Sequence, residues 1–172
     1  MRRTCRITSS TRIAADTVPS NLDRVKQRIV IAVDGSPGAQ QAVAVGLDLA
    51  AARSAEVVFV HFSSAAGQFS DIHPNAGPTQ DEIEEADPVL RAAAEAARER
   101  DVRLQLETHD EHGTGDIAAA IAGIAEGREA SLIVVGTRGR GALTSAVLGS
   151  VSRGLLGLAP VPVVVVHDPS GS

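Results

Sequence analysis

Short β-branched runs that alternate with segments of helical period constrain this chain more than any other feature. Arg28-Ile29-Val30-Ile31-Ala32-Val33-Asp34 is a nearly continuous apolar run closed by Gly35-Ser36-Pro37, the pattern of a short strand buried on both faces. Ser36 before Pro37 reads as a helix N-cap with proline in the first turn. Ala39, Val43, Leu47 and Ala50 then recur at helical spacing, giving the next segment one apolar face. The exchange repeats. Further strands are predicted at Val57–Phe62, Val102–Leu106, Leu132–Val135 and Val161–Val166, and further helices around Leu90–Ala97, Ile117–Ile124 and Ser150–Leu158. Between Ser63 and Asp87 the chain is rich in Gly, Pro, Asp and Glu and reads as a long surface loop with one acidic helical turn at Asp81–Glu85.

Five strands separated by four helices imply an α/β domain with an open parallel sheet covered on both faces. The 172 residues suffice for one core and not for two ordinary ones. Residues 1–26 carry arginine and serine without an apolar period and are expected to form a flexible extension. The folded body is expected over 27–168, with a short tail at 169–172.

Charge and composition exclude several functions. Residues 1–28 hold seven cationic side chains and two acidic ones, so they are +5 and the remaining chain is −10 within a total of −5. A body that acidic repels nucleic-acid phosphates. Lys26 is the only lysine and precedes the first strand, so the body has no lysine for a Schiff base or for a kinase-type phosphate contact. The single cysteine, Cys5, excludes an internal disulfide and a cysteine-based zinc site. No apolar run approaches the roughly 20 residues of a membrane span. A cytoplasmic protein is the expectation.

Ligands of open parallel sheets bind beyond the carboxyl ends of the strands, where the strand order reverses. Two strand ends here carry distinctive chemistry: Asp34-Gly35-Ser36 after the first, and Gly136-Thr137-Arg138-Gly139-Arg140-Gly141 after the fourth. The second leads to Gly149-Ser150-Val151-Ser152 at the start of the last helix. Glycines let backbone N–H groups approach an anion, and a helix N-terminus supplies unpaired N–H groups and partial positive charge. Ser150 and Ser152 add hydroxyls. Arg138 and Arg140 contact phosphate or sit on a solvated loop; the residues alone leave both open. A P-loop needs lysine where Ala142 stands, and a dinucleotide fingerprint needs glycine where Thr144 stands. No nucleophile elbow is present.

The spacing Gly136-x2-Gly139-x9-Gly149-Ser150 matches the ATP-binding signature of the universal stress protein family. The opening Ile29-Val30-Ile31-Ala32-Val33-Asp34-Gly35-Ser36 and the closing Ala159-Pro160-Val161-Pro162-Val163-Val164-Val165-Val166 also resemble that family, so the likeness spans about residues 27–168. It implies a Rossmann-like sheet of the adenine nucleotide alpha hydrolase type, with order 3-2-1-4-5. It also implies that ATP is bound, accompanied by Mg²⁺ held largely by the phosphates and water. By the same likeness Asp34 faces the adenosine end, and the backbone near Ala32 and Phe62 lines the adenine pocket. Gly136, Gly139, Gly149, Ser150, Val151 and Ser152 hold ribose and phosphates. Family members pair the last strand with its twin, so a homodimer through 161–167 is expected.

Other polar residues have plainer readings. Asp34 either caps the first turn through Ser36 or touches nucleotide. His61 is expected to pack or hydrogen-bond at its strand end, and His109, Asp110, Glu111 and His112 to form a solvated connection rather than a metal site. Three functions fit this sequence: an ATP-binding regulatory or stress-response protein, a slow ATPase or self-phosphorylating switch using Ser150 or Ser152, and a nucleotide-free interaction module.

Overall fold

The computed structural model describes residues 27–66, 77–111, 115–137 and 148–167. Within them lie five strands: β1 (Arg28–Val33), β2 (Glu56–Phe62), β3 (Leu104–His109), β4 (Leu132–Gly136) and β5 (Val163–Val166). Five helices accompany them: α1 (Pro37–Arg53), α2 (Gln80–Ala86), α3 (Pro88–Arg98), α4 (Ile117–Gly127) and α5 (Ser150–Leu158). All strand pairs are parallel, and the sheet order is β3-β2-β1-β4-β5, as the family likeness implied.

Side-chain alternation divides the core into two layers. On one face Ile29, Ile31, Val57, Phe59, Leu106, Leu132 and Val134 pack against α1, α2 and α3 through Leu47, Ile83 and Leu90. On the other face Val30, Val58, Val60, Phe62, Ile133 and Val135 meet α4 and α5 through Ile121 and Leu155. The connection after β1 therefore covers one face and that after β4 covers the other. Their strand ends meet where the order reverses, as expected for a strand-end crevice.

Local chemistry explains most element ends. The Ser36 hydroxyl accepts the Ala39 N–H and Pro37 occupies the first turn of α1. Gly35 between strand and helix has φ +78°, a left-handed conformation that favours glycine. Asp116 caps α4 by accepting from Ala118 and Ala119.

Three details differ from the pattern read off the sequence. The strand expected at Val102–Leu106 starts at Leu104 and runs to His109. Asp101 turns left-handed at φ 54°, and the Val102 N–H bonds to Ala97 O, so Val102 belongs to the turn that closes the preceding helix and not to the strand. The polar residues Thr108 and His109 then continue the ladder opposite His61 and Phe62. In the expected loop, α2 forms almost two turns rather than one. Thr79 and Glu82 make a reciprocal capping box, and Ile83 is buried in the core. Finally, β5 begins only at Val163, because Pro162 has no N–H for the ladder.

A strand-end crevice and an uncapped helix

The β1–α1 turn is a chain of hydrogen bonds. Asp34 Oδ1 accepts the Ser36 N–H at 2.9 Å and the Ser36 hydroxyl at 2.6 Å, while that hydroxyl accepts the Ala39 N–H at 3.2 Å. The half-buried Asp34 carboxylate thus shapes the turn at the carboxyl end of β1.

At the end of β4, the backbone of α1 passes directly over Gly136. A Cβ on Gly136 would lie 2.7 and 2.8 Å from the Gly38 carbonyl carbon and oxygen and 3.0 Å from Ala39 N. Glycine at this position is required by helix packing, whatever it does for a ligand. β1 and β4 are paired neighbours, so the turns that carry Asp34 and Gly136 lie side by side at the switch point.

Three bonds fasten the far end of the β4–α5 connection. Gly149 N–H donates to Thr137 O at 2.8 Å, Thr137 N–H donates to Val166 O at 2.8 Å, and the buried Ser152 hydroxyl donates to Gly136 O at 2.6 Å. Ser152 therefore uses its proton to hold α5 against β4. Arg138 and Gly139, with Arg140 and Gly141, lie outside the described residues.

Helix α5 begins differently from the other helices. Ser36, Thr79, Asp87 and Asp116 cap α1 to α4 with side-chain oxygens. At α5 the cap residue is Gly149, and among the described residues no side-chain cap bond is made. Ser150 is exposed and Val151 half-buried there. Arg153, in the same first turn, donates to Leu148 O at 2.9 Å and adds positive charge that the spacing motif does not include. An N-terminus of this kind suits an anion, because the first-turn N–H groups carry partial positive charge.

Two further predicted site residues lie on the face of the sheet that α5 covers. Ala32 packs on the α4–α5 layer and Phe62 is buried in it. Phe62 stacks on His109, with ring centroids 5.3 Å apart and planes inclined by 27°. Sequence reasoning missed this partner; the signal available was an aromatic residue at each of two adjacent strand ends.

His61 occupies the opposite face. Its Nδ1 donates to Asp87 Oδ2 at 2.7 Å, both side chains being almost fully buried. Asp87 Oδ1 accepts the N–H groups of Val89 and Leu90, capping α3. Burial works to raise the Asp87 carboxyl; the His61 hydrogen bond, the Leu90 N–H, the His61 charge and the Val89 N–H outweigh it and hold it below the usual carboxylate range. On this side a groove of about 360 Å³ separates α1 from α3, lined by Val33, Gly35, Ala39, Gln40, Val43, Pro88, Val89, Ala92, Ala93 and Ala96. Without a charged group in its lining, it has no complement for phosphate. Among the described residues, no group of three or more His, Cys, Asp or Glu side chains is placed to hold a metal ion, and no helix is long and apolar enough to cross a membrane.

An open parallel sheet of order β3-β2-β1-β4-β5, with helices on both faces and its switch point between β1 and β4, defines a doubly wound α/β fold. Comparison with known proteins then fixes the family. The Universal stress protein family model matches residues 26–167, and the chain belongs to that family. A universal stress protein of Thermus aquaticus is 34% identical over 140 residues, covering 81% of this chain and 97% of that one. One from Mycolicibacterium smegmatis is 32% identical over 142 residues and covers 81% of this chain; this chain spans 45%, about half, of its length. Among solved structures, a universal stress protein in complex with cAMP aligns at TM-score 0.58 and 24% identity, covering 83% of this chain and 97% of that one. The Archaeoglobus fulgidus protein in complex with dAMP aligns at TM-score 0.59 and 23% identity, covering 81% and 97%. At these identities the two structures establish the shared fold.

Proposed function

We propose that the chain is an adenine-nucleotide-binding regulatory protein whose ligand lies across the β1/β4 strand ends. In this reading ATP places its phosphates at Gly149, Ser150 and Val151, and Mg²⁺ is held by the phosphates and water. Ser152 and Gly136 keep the helix start in place. Asp34 faces the adenosine end, and Ala32 and Phe62 line the base. Gly139 is assigned to the phosphates by the spacing motif alone, and Arg138 by its charge beside it.

The observation that carries the reading is the α5 N-terminus at the switch point of the sheet, which among the described residues has glycine at its cap position and no side-chain cap. Relatives solved with cAMP and dAMP support adenine as the base. With Lys26 as the only lysine, the reading favours binding over phosphoryl transfer.

Calorimetric titration of wild type and Gly149→Val with ATP tests it. Gly149 has φ −59° and ψ 161°, a conformation open to any residue, so the substitution adds bulk without backbone strain. Binding is expected to weaken at least about tenfold, or 1.4 kcal/mol. Equal affinity, or a wild type that binds no ATP, refutes the site.

The same reading includes a homodimer through 161–167. Pro162 O and Val166 O accept from Ile133 and Thr137, so the even-numbered residues of β5 face β4. Val163 and Val165 then turn their backbone groups to the open edge. Val165→Pro removes one outward N–H and spares the β4 ladder. Sedimentation velocity should show a dimer for wild type and a monomer for V165P. Two dimers, or two monomers, would contradict this interface.

A further inference from the structure

The proposed nucleotide site continues one strand beyond the residues assigned above, and that extension bears on which base it accepts. Ala32 of β1 and Phe62 of β2 belong to the α4–α5 face. His109 of β3 pairs in register with Phe62, and its ring stacks on the phenyl group. These residues form a row along the carboxyl edge of the same face on which α5 begins. β3 is three strand spacings from β4, about 14 Å, a distance comparable with the reach of a nucleoside phosphate. A nucleotide with its phosphates at α5 lays its base toward the Phe62–His109 stack.

The chemistry of His109 is set from behind. Its Nε2 lies 3.3 Å from Glu107 Oε2, two residues earlier on the strand and on the same face. Glu107 is mostly buried, with Arg128 Nε 2.6 Å from its other oxygen in an ion-pair contact. Burial works to raise the Glu107 carboxyl; the His109 hydrogen bond and the Arg128 and His109 charges outweigh it and hold it below the usual range. An ionised carboxylate only accepts, so in the neutral ring the proton sits on Nε2 and Nδ1 carries a lone pair. The two ring nitrogens diverge about Cε1. With Nε2 turned back to Glu107, Nδ1 faces forward to the carboxyl edge of the sheet.

Resting on the nucleotide reading, we infer that His109 is a specificity-determining residue that favours adenine over 6-oxopurines. Its Nδ1 accepts a hydrogen from the exocyclic amine of adenine. A 6-oxopurine presents an acceptor oxygen at the same place, opposing one lone pair with another.

The test is a titration of the full chain with ATP and with inosine triphosphate, at a pH of about 8. Wild type is expected to prefer ATP by about tenfold, the scale of one hydrogen bond made against one opposed. His109→Phe keeps a ring against Phe62 and removes the acceptor, so its two affinities should converge, chiefly through weaker ATP binding. The ratio compares two ligands on one protein and does not depend on the fraction folded. Should H109F not fold, Glu107→Gln carries the test: an amide no longer dictates the tautomer, and the preference should fall. ¹⁵N shifts of the ring should show the Nε2–H form in wild type and a mixture in E107Q. An unchanged preference in the folded variants overturns the role of His109 while leaving the nucleotide site standing, as does a wild type that binds both triphosphates equally. A wild type that binds neither overturns the nucleotide reading itself.

Discussion

Asp87→Ala is expected to destabilise the fold by about 3–5 kcal/mol, the range for removing one partner of a buried charged pair. The side chain is almost fully buried and serves three donors: His61 Nδ1 and the N–H groups of Val89 and Leu90. Alanine leaves the imidazole donor buried without its acceptor and leaves α3 without its cap, each a loss in its own right. Asp87→Asn separates the two effects. It retains an oxygen for the helix cap but loses the charged acceptor, and should cost about 1.5–3 kcal/mol, the range for hydrogen bonds to charged groups. The pH dependence follows from the direction of the shift. The folded carboxyl is held below its usual value, so its contribution is fully present above the unfolded pKa of about 3.9 and fades as pH falls through the lower, folded value. Urea unfolding from neutral pH into acid should therefore show the gap between wild type and D87N narrowing below about pH 4. A D87A loss under about 0.5 kcal/mol, typical of a surface substitution, would contradict the assigned role.

Gly136→Ala should cost about 1–3 kcal/mol, the usual range for overpacking, and lie at its upper end. The atoms that its Cβ would meet are the backbone of Gly38 and Ala39, which cannot rotate aside as a side-chain tip can. Relief requires α1 and the end of β4 to move apart. The share of that movement taken by the strand end displaces the Gly136 carbonyl from the Ser152 hydroxyl, so nucleotide affinity is expected to fall with stability. Urea unfolding measures the first effect, and titration at a temperature where the variant is folded measures the second. Wild-type stability would show that α1 does not press on the strand as closely as described. Loss of stability with unchanged affinity would show that the helix start of α5 is independent of Gly136.

What was legible in the sequence was local. Asp34-Gly35-Ser36-Pro37 announces a strand end and a capped helix within four residues, and the structure has both, with Gly35 turned left-handed between them. The apolar runs of β1, β2 and β4 are buried almost throughout, so their pattern could be read without knowing their neighbours. Edge strand β3 is only partly buried. Its polar residues 107–109 carry no apolar period, and its start moved by two residues because a left-handed Asp101 follows α3. The His61–Asp87 pair joins residues 26 apart across a β-strand end and a helix cap; neither spacing nor composition encodes that contact. The Gly136 motif position was legible, but its packing reason was not, since that depends on α1 crossing β4. Ser152 shows the same limit: the family likeness marks it as a contact for ribose and phosphates, whereas its hydroxyl proton is spent on Gly136 O.

The central claim is that the start of α5 grips an anion with main-chain amides. A crystal structure of the protein with ATP and Mg²⁺ tests it most directly. The account predicts phosphate oxygens within hydrogen-bonding distance of the Ser150 and Val151 N–H groups, with the base turned toward Phe62. A nucleotide seated in the groove between α1 and α3, or density that leaves those amides without phosphate, would contradict it.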